Sequence, residues 1–315
     1  MFLASLIKRC PNLSAAYYIY NDWQTGRRWA KGRVGTTSGS RHAKLNLDES
    51  LAYIEKVTAD YFRYAGRPKF TGAVAEIGPG DNFGVALRIL GQGATVVHAV
   101  DKFKSFRDPQ RQALIYQALA ARHELNHIFN GVPSEATLRG LVYHSGSPAE
   151  IFFRTAGLNF DAILSRAVLE HLSDPLIALD DMMKTLRPGG IMVHRIDFRD
   201  HGMFSGCHPL TFLTFSKKCW RLMTQHSGRP NRILFPEWQE WFIHSGLKGS
   251  IKITRLVGVK EEVEPAIWAN LPQILREQSL QTVRQMRPKL ARTFQSLSDK
   301  DLAVAGCVLV VEVPT

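Results

Sequence analysis

The sequence predicts an α/β fold in which a mostly parallel sheet of seven strands is covered by helices on both faces. Apolar runs of strand length alternate with stretches of helix length from about residue 48 to residue 200. Several runs are apolar throughout, as expected for parallel strands that are buried on both faces. A glycine turn also joins the first run to a helix, and such turns position ligands at the edge of an open sheet.

The first predicted element is a helix over about 48–65. Residues 1–46 precede it; they are aromatic, basic and rich in turn residues, and they show no clear period. Asp48 is the expected cap of the helix, and Gly66 and Pro68 end it. Its apolar face consists of Leu51, Ile54, Val57, Thr58, Tyr61 and Phe62.

Strand and helix patterns alternate after this helix. The predicted strands are 73–78, 94–101, 141–144, 160–165, 191–196, 250–257 and 302–313. The predicted helices between the first five strands are about 82–90, 109–129, 148–156 and 173–186. Asp108 and Asp174 are expected to cap the second and fourth of these helices, each followed by proline in the first turn. Residues 202–248 and 264–297 are helical in tendency, the first aromatic and the second basic.

The composition is that of an ordinary globular protein, with 315 residues of which 45% are hydrophobic and 22% charged. No apolar run reaches the ~18 residues that cross a bilayer. The start, MFLASLIKRCP, is apolar for seven residues and carries its basic pair on the wrong side for a signal peptide. It is interpreted as a buried N-terminus or, alternatively, as a short amphipathic anchor with weak contact to a membrane surface.

The cysteines and the charge limit the partners. Cys10, Cys207, Cys219 and Cys307 form no C-x-x-C pair, which argues against a zinc site and a disulfide framework and suits a reducing cytoplasm. No metal is predicted. The formal net charge is +12, and residues 1–70 contain twelve Lys/Arg against five Asp/Glu. Such an excess favours an anionic partner, or else it is a solvated basic face.

The glycine turn lies in AEIGPGDNFGVAL, residues 75–87. Gly78 and Gly80 let the backbone turn sharply and let a ligand lie against it, and the following helix start offers free N–H groups. Asp101 ends the next strand, where a carboxylate can accept hydrogen bonds from a ribose diol. These features indicate a nucleotide-like ligand, and a dinucleotide would satisfy them.

Three details separate this segment from a dinucleotide-binding motif. Glu76 is an acid inside the strand, the spacing is G-P-G-x-x-x-G, and FDAILSRAVLEHLSDP and LRPGG follow at fitting distances. Together, Glu76–Gly84, Asp101, residues 160–175 and the 186–190 turn resemble the class I S-adenosylmethionine-dependent methyltransferases, which have a Rossmann-like fold. Within them the chain is similar to the type 11 small-molecule enzymes and, more loosely, to bacterial members of polysaccharide or secondary metabolite pathways.

The resemblance implies S-adenosylmethionine as cofactor and a set of residues that bind it. Glu76 holds the methionine amino end, and Asp101 holds the ribose hydroxyls. Ser147 stands where many relatives carry an acid that reads the adenine amino group, with Glu150 or the backbone as alternatives. The full set is Glu76, Gly78, Pro79, Gly80, Asp101, Lys102, Ser147, Ser165 and Arg166.

The remaining cofactor residues lie beside the adenine and the methionine. Lys102 or Phe103 is expected to flank the adenine, and Ser165 and Arg166 are expected to border the methionine. The resemblance covers residues 72–200 well and the last strand moderately. It divides the chain into an N-terminal segment with a cap helix, a cofactor-binding core, a helical lid over the acceptor, and the rest of the core with a helical insertion: 1–70, 71–201, 202–248 and 249–315.

The stretch HRIDFRDHGMF, residues 194–204, ends the fifth predicted strand in a group of ionisable residues. Because ligands of open α/β sheets bind at the carboxyl ends of strands, these side chains are expected beside the reactive methyl group. His201 is the first candidate for the base that deprotonates the acceptor, and His171 is the second. Asp197 or Asp200 is expected to orient the imidazole.

Two arginines complete the candidate acceptor site. Arg195 and Arg199 can bind a carboxylate or phosphate on the acceptor by paired hydrogen bonds. The alternative is a closed ion-pair network of these arginines with the neighbouring aspartates.

The predicted function is methyl transfer from S-adenosylmethionine to an oxygen or nitrogen atom of a small molecule, such as a sugar, a lipid-linked compound or a secondary metabolite, in the cytoplasm of a bacterium. An anionic acceptor suits the basic charge. Alternatives are an RNA methyltransferase, disfavoured because no NPPY-type tetrad follows the fourth strand, a cofactor-binding partner without turnover, and a nicotinamide dehydrogenase. The sequence predicts neither the acceptor nor the oligomeric state.

Overall fold

The computed structural model describes residues 9–32, 35–36 and 39–315. The helices of this part are α1 (Pro11–Trp29), α2 (Leu47–Ala65), α3 (Gly84–Gly91), α4 (Pro109–Arg122), α5 (Ala149–Thr155), α6 (Pro175–Thr185), α7 (Lys217–Thr224), α8 (Phe235–Ser245), α9 (Gln273–Met286) and α10 (Asp299–Ala303). The strands of the main sheet are β1 (Gly72–Ile77), β2 (Ala94–Asp101), β3 (Leu141–Ser145), β4 (Phe160–Arg166), β5 (Leu186–Asp197), β6 (Lys248–Leu256) and β7 (Val304–Glu312).

The seven strands form one sheet in the order β3-β2-β1-β4-β5-β7-β6. Strands β1 to β5 are parallel to their neighbours among themselves, and β7 runs antiparallel to both β5 and β6. The prediction of a seven-stranded, mostly parallel sheet is therefore confirmed. The chain order reverses between β1 and β4, and the carboxyl ends of the strands open a crevice at that point.

Both faces of the sheet are covered, because successive side chains of each buried strand point to opposite sides. On β1, Val74 belongs to the apolar cluster under α2, α3 and α4, whereas Ala75 belongs to the cluster on the other face. That second cluster also contains Phe152 of α5, Met182 of α6 and Trp238 of α8. All of these side chains are buried, so the sheet is the centre of the core.

The strand bounds agree closely with the sequence pattern, and the largest difference is in β5. The strand begins at Leu186 and includes the LRPGG segment that the sequence predicts as a turn. Leu186 pairs with Phe160, and the register between β4 and β5 shifts between Phe160 and Ala162. This irregularity accommodates the additional residues. Two predicted helices are shorter than expected: the 109–129 helix ends at Arg122, and 264–297 contains helix α9 only over Gln273–Met286.

Two of the three predicted helix caps are corrected. Asn46, and not Asp48, caps α2: its side chain accepts a hydrogen bond from Glu49 N at 2.8 Å, and the Glu49 carboxylate accepts one from Asn46 N. Asp108 caps α4 as predicted, with its carboxylate accepting from Gln110 N at 3.0 Å. Asp174 occupies the N-cap position of α6, but its side chain makes no capping hydrogen bond.

Helix α1 is the element that the sequence pattern did not reveal. Its buried face consists of Ser14, Ala15, Tyr18 and Asp22, so small and polar residues replace the apolar period that signals a helix. The Tyr18 hydroxyl donates a hydrogen bond of 2.8 Å to the carbonyl oxygen of Met203. This contact fixes α1 against residues 202–248, the segment predicted as a lid and called the lid below. The predicted N-terminal anchor lies mostly outside the described residues, since residues 1–8 are not among them.

The lid packs as an aromatic layer over the sheet. Phe204 stacks on Phe215 at 5.1 Å between ring centroids, and Phe198 of the core stacks on Trp238 of α8 at 6.3 Å. The helical, aromatic character predicted for 202–248 agrees with α7 and α8. Across the described ranges, no helix is both long enough and apolar enough to span a bilayer.

Candidate active site

The glycine turn connects β1 to α3 at the point where the strand order reverses. Gly78 has φ +69° and Gly80 has φ +72°, a conformation that favours glycine. Space is also short, since a Cβ on Gly78 would lie 2.5 Å from Cγ2 of Val168, and one on Gly80 would lie 2.9 Å from the carbonyl oxygen of Gly39. The turn therefore requires glycine at both positions for its shape and for its close neighbours.

Glu76 lies inside β1, directly before the turn, and is 5% exposed. Its Oε2 has no hydrogen-bond partner among the described residues. Burial raises the pKa of this carboxyl to about 8. An unpaired buried carboxylate is unfavourable, and the site is stabilised when a cation or a donor reaches it. Glu76 is thus a buried acid that a positively charged group of a ligand would stabilise as an anion.

Asp101 lies at the end of β2, next to the same turn. Burial raises its pKa to about 6, and hydrogen bonds from the backbones of Phe103 and Gly80, together with the nearby Arg107, oppose that effect. The Phe103 N–H donates to Oδ1 at 3.1 Å. Because Asp101 is held to both the next loop and the glycine turn, its carboxylate has a fixed orientation at the edge of the crevice.

An aromatic wall continues from Asp101. The Phe103 ring contacts the Trp29 ring edge to face at 5.2 Å between centroids. Lys102 Nζ lies 4.9 Å from the Trp29 ring centroid, within the range of a cation–π interaction. Gly228 of the lid also lies against the Phe103 ring. Helix α1 and the lid thereby both reach the position where the sequence predicts the adenine.

The segment before α2 lies over the glycine turn. The Asp81 carboxylate accepts hydrogen bonds from His42 N at 3.2 Å and from Ala43 N at 2.9 Å. Asp81 is 2% exposed, so these bonds are made in a dry environment where they are strong. The carbonyl of Gly39 also contacts Gly80, so this segment packs against the turn.

Glu170, His171 and His201 form a compact cluster at the ends of β4 and β5. Glu170 and His171 are in the turn Leu169–His171 after β4, and His201 is in the turn after β5. His201 Nε2 lies 3.5 Å from Glu170 Oε1. The imidazole rings of His171 and His201 pack edge to face, with 4.7 Å between their centroids. One ligand atom of each residue lies within 4.8 Å of the others, so the spacing alone would also suit a metal ion. The absence of a metal site stays a prediction.

The three groups of the cluster differ in protonation. Glu170 is 2% exposed, and burial raises its pKa, with His201 opposing that effect. Burial lowers the pKa of His171 to about 3, so His171 is neutral near pH 7. Burial alone would lower the pKa of His201, but Glu170 and then Asp197 raise it above its ordinary value. The His201 side chain is 30% exposed, so His201 is the member of the cluster whose imidazole solvent can reach.

The backbone of His201 is in the left-handed region, with φ +51°, and Gly202 follows with φ +76°. Such a conformation is unfavourable for a residue with a Cβ, and the surrounding structure must maintain it. Asp200 does so: its carboxylate accepts hydrogen bonds from Gly202 N at 3.0 Å and from Phe204 N at 2.8 Å. Asp200 thus shapes the turn that presents His201, and Glu170 is the carboxylate next to the imidazole.

The other charged residues of this strand end are paired. The Asp197 carboxylate binds Arg199, with Arg199 Nε 2.8 Å from Oδ1, and contacts His201 only through its backbone oxygen at 3.4 Å. Arg195 is 7% exposed and its Nη2 lies 2.7 Å from Glu262 Oε1. The structure thus places both arginines in ion pairs. Only the Arg199–Asp197 pair belongs to the network with the neighbouring aspartates that the sequence left open, since Arg195 pairs with Glu262.

The side chains of two predicted cofactor residues are bonded to other residues of the protein. Ser165 is fully buried, and its Oγ lies 2.8 Å from Nδ1 of His194. Arg166 pairs through Nη1 with Asp60 Oδ2 of α2 at 2.7 Å. These contacts connect β4 to β5 and to α2. Both residues flank the strand ends, and neither carries an unpaired group toward the crevice in the contacts that the structure shows.

Ser147 and Glu150 are the two candidates for the adenine side. Ser147 N donates to the backbone oxygen of Asp101 at 3.0 Å, so Ser147 lies directly beside the ribose candidate. Glu150 Oε1 accepts from Ser173 N at 2.9 Å, which connects α5 to the loop after β4. Ser147 is thus adjacent to Asp101, whereas Glu150 has a structural contact of its own.

Two residues of the site escaped prediction from the sequence. Glu170 was hidden in the motif LEHL, although an acid directly before a candidate histidine in an apolar stretch is a usable signal. Trp29 was hidden because α1 itself has no clear period. Both reach the crevice through tertiary packing.

Comparison with known families shows the family to which the chain belongs. The model of a family described as methyltransferase domain matches residues 51–251, which is more than half of the chain. The chain belongs to this methyltransferase family. The predicted membership of a methyltransferase family is confirmed at this level.

Individual relatives of this methyltransferase are distant or match only a part. A ubiquinone biosynthesis O-methyltransferase of Parvibaculum lavamentivorans is 51% identical over 37 residues, which are 12% of this chain and 15% of that protein. Phosphoethanolamine N-methyltransferase 2 of Haemonchus contortus, solved with S-adenosyl-L-methionine, is 14% identical with a TM-score of 0.43, covering 83% of this chain and 53% of that chain. The chain thus spans about half of that structure. A putative methyltransferase of Bacillus halodurans is 13% identical with a TM-score of 0.39, covering 84% and 99%.

Proposed function

We propose that this protein transfers the methyl group of S-adenosylmethionine to an oxygen or nitrogen atom of a small molecule held beside His201. The observation that carries the proposal is the arrangement of two sets of residues around one crevice. Glu76, the glycine turn and Asp101 lie at the ends of β1 and β2, and the Glu170–His171–His201 cluster lies at the ends of β4 and β5.

The residues at the first set fit the cofactor. Glu76 Oε2 is a buried acceptor without a partner, which suits the ammonium group of the methionine end. The turn takes its shape from the positive φ angles of Gly78 and Gly80, and glycine lets a ligand lie against the backbone. Asp101 suits the ribose diol. When bound, the cofactor supplies an activated methyl group and its own leaving group. The protein must therefore bind the two substrates, align them and accept the proton of the acceptor.

His201 is proposed to receive the proton of the acceptor. Its imidazole is partly exposed, whereas Glu170 behind it is buried. As His201 takes the proton, the new imidazolium lies 3.5 Å from the Glu170 carboxylate, which stabilises it. His171, held neutral by burial, contacts the same ring and keeps its orientation.

A cavity beside the end of β5 supports a small acceptor. It has a volume of about 250 Å³ and lies between the strand end, the lid and the segment after β6. Most of its walls are apolar, and Arg199 and Lys260 are its charged members. A cavity of this kind suits a small organic group. It suits an acceptor with an apolar part, although its lining includes neither His201 nor a predicted cofactor residue. Of its two cations, Arg199 is already paired with Asp197, so Lys260 is the one that would attract an anionic acceptor.

The thiols support a compartment. Cys10, Cys219 and Cys307 form no disulfide with any described residue. Free thiols are typical of a reducing compartment, which supports the cytoplasm of a bacterial cell as the location.

The proposal is tested in two steps. Calorimetry with S-adenosylhomocysteine measures the cofactor site, with Asp48→Ala, an exposed acid of α2, as the control for Asp101→Ala. Labelled methyl uptake from S-adenosylmethionine is then measured on lipid, sugar and nucleic acid fractions of a bacterial extract. We expect binding that Asp101→Ala weakens and Asp48→Ala does not, followed by label in a small-molecule fraction. Absence of binding contradicts the cofactor site, and label confined to nucleic acid contradicts the acceptor class.

A further inference from the structure

The outer face of α1 exposes a row of large apolar side chains. Leu13, Tyr17, Tyr20 and Trp23 are 57%, 49%, 57% and 53% exposed. Their spacing of three or four residues places them on one side of the helix, opposite the buried residues. Three of the four are aromatic residues with a polar atom, and Tyr20 and Trp23 contact each other at 6.0 Å between ring centroids. We call these four residues the aromatic stripe.

Basic residues extend the aromatic stripe at its C-terminal end. Arg27 and Arg28 are both exposed, and the guanidinium of Arg27 lies 4.9 Å from the Trp23 ring centroid. The only acid of the helix is Asp22, which is 2% exposed and lies on the buried face. Its carboxylate accepts hydrogen bonds from the backbone N–H groups of His226 and Ser227. The outer face therefore combines aromatic and positively charged groups without a negative one.

The helix is fixed to the body of the protein by its inner face. Tyr18 is bonded to Met203, Asp22 to the backbone of the lid, and Arg229 Nη2 donates to Asn21 Oδ1 at 2.9 Å. The Arg229 guanidinium also lies 4.2 Å from the Tyr18 ring centroid. The aromatic stripe is thus presented on a rigid support and lies on the outside of the wall that covers the crevice.

We propose that the aromatic stripe and its arginines bind the surface of an anionic lipid bilayer, with α1 lying in the plane of the interface. Tyrosine and tryptophan favour the headgroup region because their rings are apolar and their polar atoms can reach water. Arginines next to them are attracted by anionic headgroups. The positive charge of this face favours an anionic bilayer as its partner, and the formal net charge of +12 favours it as well.

Docking in this orientation has a consequence for the substrate. Because the inner face of α1 contacts Met203, two residues after His201 in the chain, the bilayer would lie close to the acceptor side. This favours a lipid-linked acceptor. That step depends on the function proposed above, whereas the docking itself does not.

Co-sedimentation with vesicles tests the docking. The full chain is mixed with vesicles of phosphatidylcholine alone, or of phosphatidylcholine with phosphatidylglycerol. We expect binding to the anionic vesicles only, reduced by salt. The double variant Tyr20→Ser/Trp23→Ser should bind on the order of tenfold more weakly, as should Arg27→Gln/Arg28→Gln. The matched control is Ile243→Ser/Ile274→Ser, which removes side chains that are 72% and 74% exposed on other helices.

Three outcomes overturn the docking. They are no binding to anionic vesicles, equal binding of the stripe and control variants, and a change of oligomeric state in the stripe variant without vesicles, which would identify a second copy as the occupant. Calorimetry with S-adenosylhomocysteine on every variant verifies that the fold is intact. If the cofactor binds and the vesicles do not, only the docking fails; if the vesicles bind and the cofactor does not, only the proposed enzyme fails.

Discussion

The crevice has a proposed cofactor side, formed by residues 72–101, and a proposed acceptor side, formed by Glu170, His171 and His201. The two sides differ in what determines their geometry. On the cofactor side, residues 72–101 form consecutive elements, and the shape comes from the backbone of one glycine turn between two strands. On the acceptor side, Glu170 and His201 come from separate turns and meet through side chains. Local sequence therefore specifies the first side, whereas the second depends on the packing of β4, β5 and the lid.

The two sides also use burial differently. Burial raises the pKa of Glu76 and of Asp101, and each is expected to be stabilised as an anion by a bound ligand. In the cluster, burial acts on Glu170 and His171, and their proximity gives His201 a raised pKa through Glu170. We propose that the first side binds the cofactor and that the second transfers a proton. The predictions below separate these two roles.

The largest expected effect is on turnover. We expect His201→Ala to lower the rate of methyl transfer by about 10²–10⁴-fold, because a positioned base contributes that much. Affinity for S-adenosylhomocysteine should remain nearly unchanged. Steady-state kinetics with the identified acceptor measure the effect, and His244→Ala, which removes an exposed histidine of α8, is the control. Equal turnover of the two variants would remove His201 from the mechanism.

Glu76→Gln should separate stability from binding. In the unfolded chain Glu76 titrates near 4.5, whereas in the folded protein burial raises its pKa to about 8. The folded state therefore loses stability as the pH rises from about 4.5 to about 8, and a neutral side chain avoids that loss. We expect the variant to gain roughly 1–3 kcal/mol in free energy of unfolding at pH 8, since the buried amide keeps part of the desolvation cost.

The same variant should bind S-adenosylhomocysteine more weakly. Urea unfolding at pH 5 and pH 8, combined with calorimetry, measures both quantities. The control is Glu240→Gln, which changes an exposed acid of α8. A loss of stability at pH 8 together with unchanged affinity would show that Glu76 is satisfied by the protein itself.

The expected effect of replacing Asp101 is smaller than that of replacing His201. Asp101→Ala is expected to weaken cofactor binding by roughly 1–3 kcal/mol, as for the loss of hydrogen bonds to a charged group. Because Asp101 also holds the Phe103 backbone, adenosine and S-adenosylhomocysteine should lose affinity alike. An unchanged affinity by calorimetry would refute the ribose assignment.

The smallest expected effect is a shift in the pH profile. His201 must be unprotonated to act as a base, so kcat/KM should fall as the pH drops through its raised pKa. Since Glu170 raises that pKa, Glu170→Gln should move this acidic limb to lower pH while reducing the maximum rate. A profile whose acidic limb stays in place would mean that another group titrates. Insensitivity of the wild-type profile to a chelator would support activation without a metal.

The sequence predicted the local elements well where a single period or a single turn residue decides them. Strand β2 has the predicted bounds, 94–101, because its apolar run has sharp ends. Asp108 caps α4 as expected. Helix α1 was not predicted, since Ser14 and Asp22 interrupt its inner face. The Asp22 carboxylate is satisfied by tertiary contacts with the backbone of His226 and Ser227. The cap of α2 was misplaced because Asn46 and Asp48 are both good cap residues, and only the Glu49 contact distinguishes them.

The sequence by itself determined the order of strands and helices, the glycine turn and the acid at the end of β2, because these depend on periodicity and on backbone conformation within a few residues. The tertiary structure decided which ionisable residues are free and which are paired. Asp197, Arg195 and Arg199 are close to His201 along the chain, yet Glu170, about thirty residues away, is its nearest carboxylate. The physical reason is that parallel strands bring their carboxyl ends together across the sheet, so neighbours in the site are set by strand order and not by sequence distance.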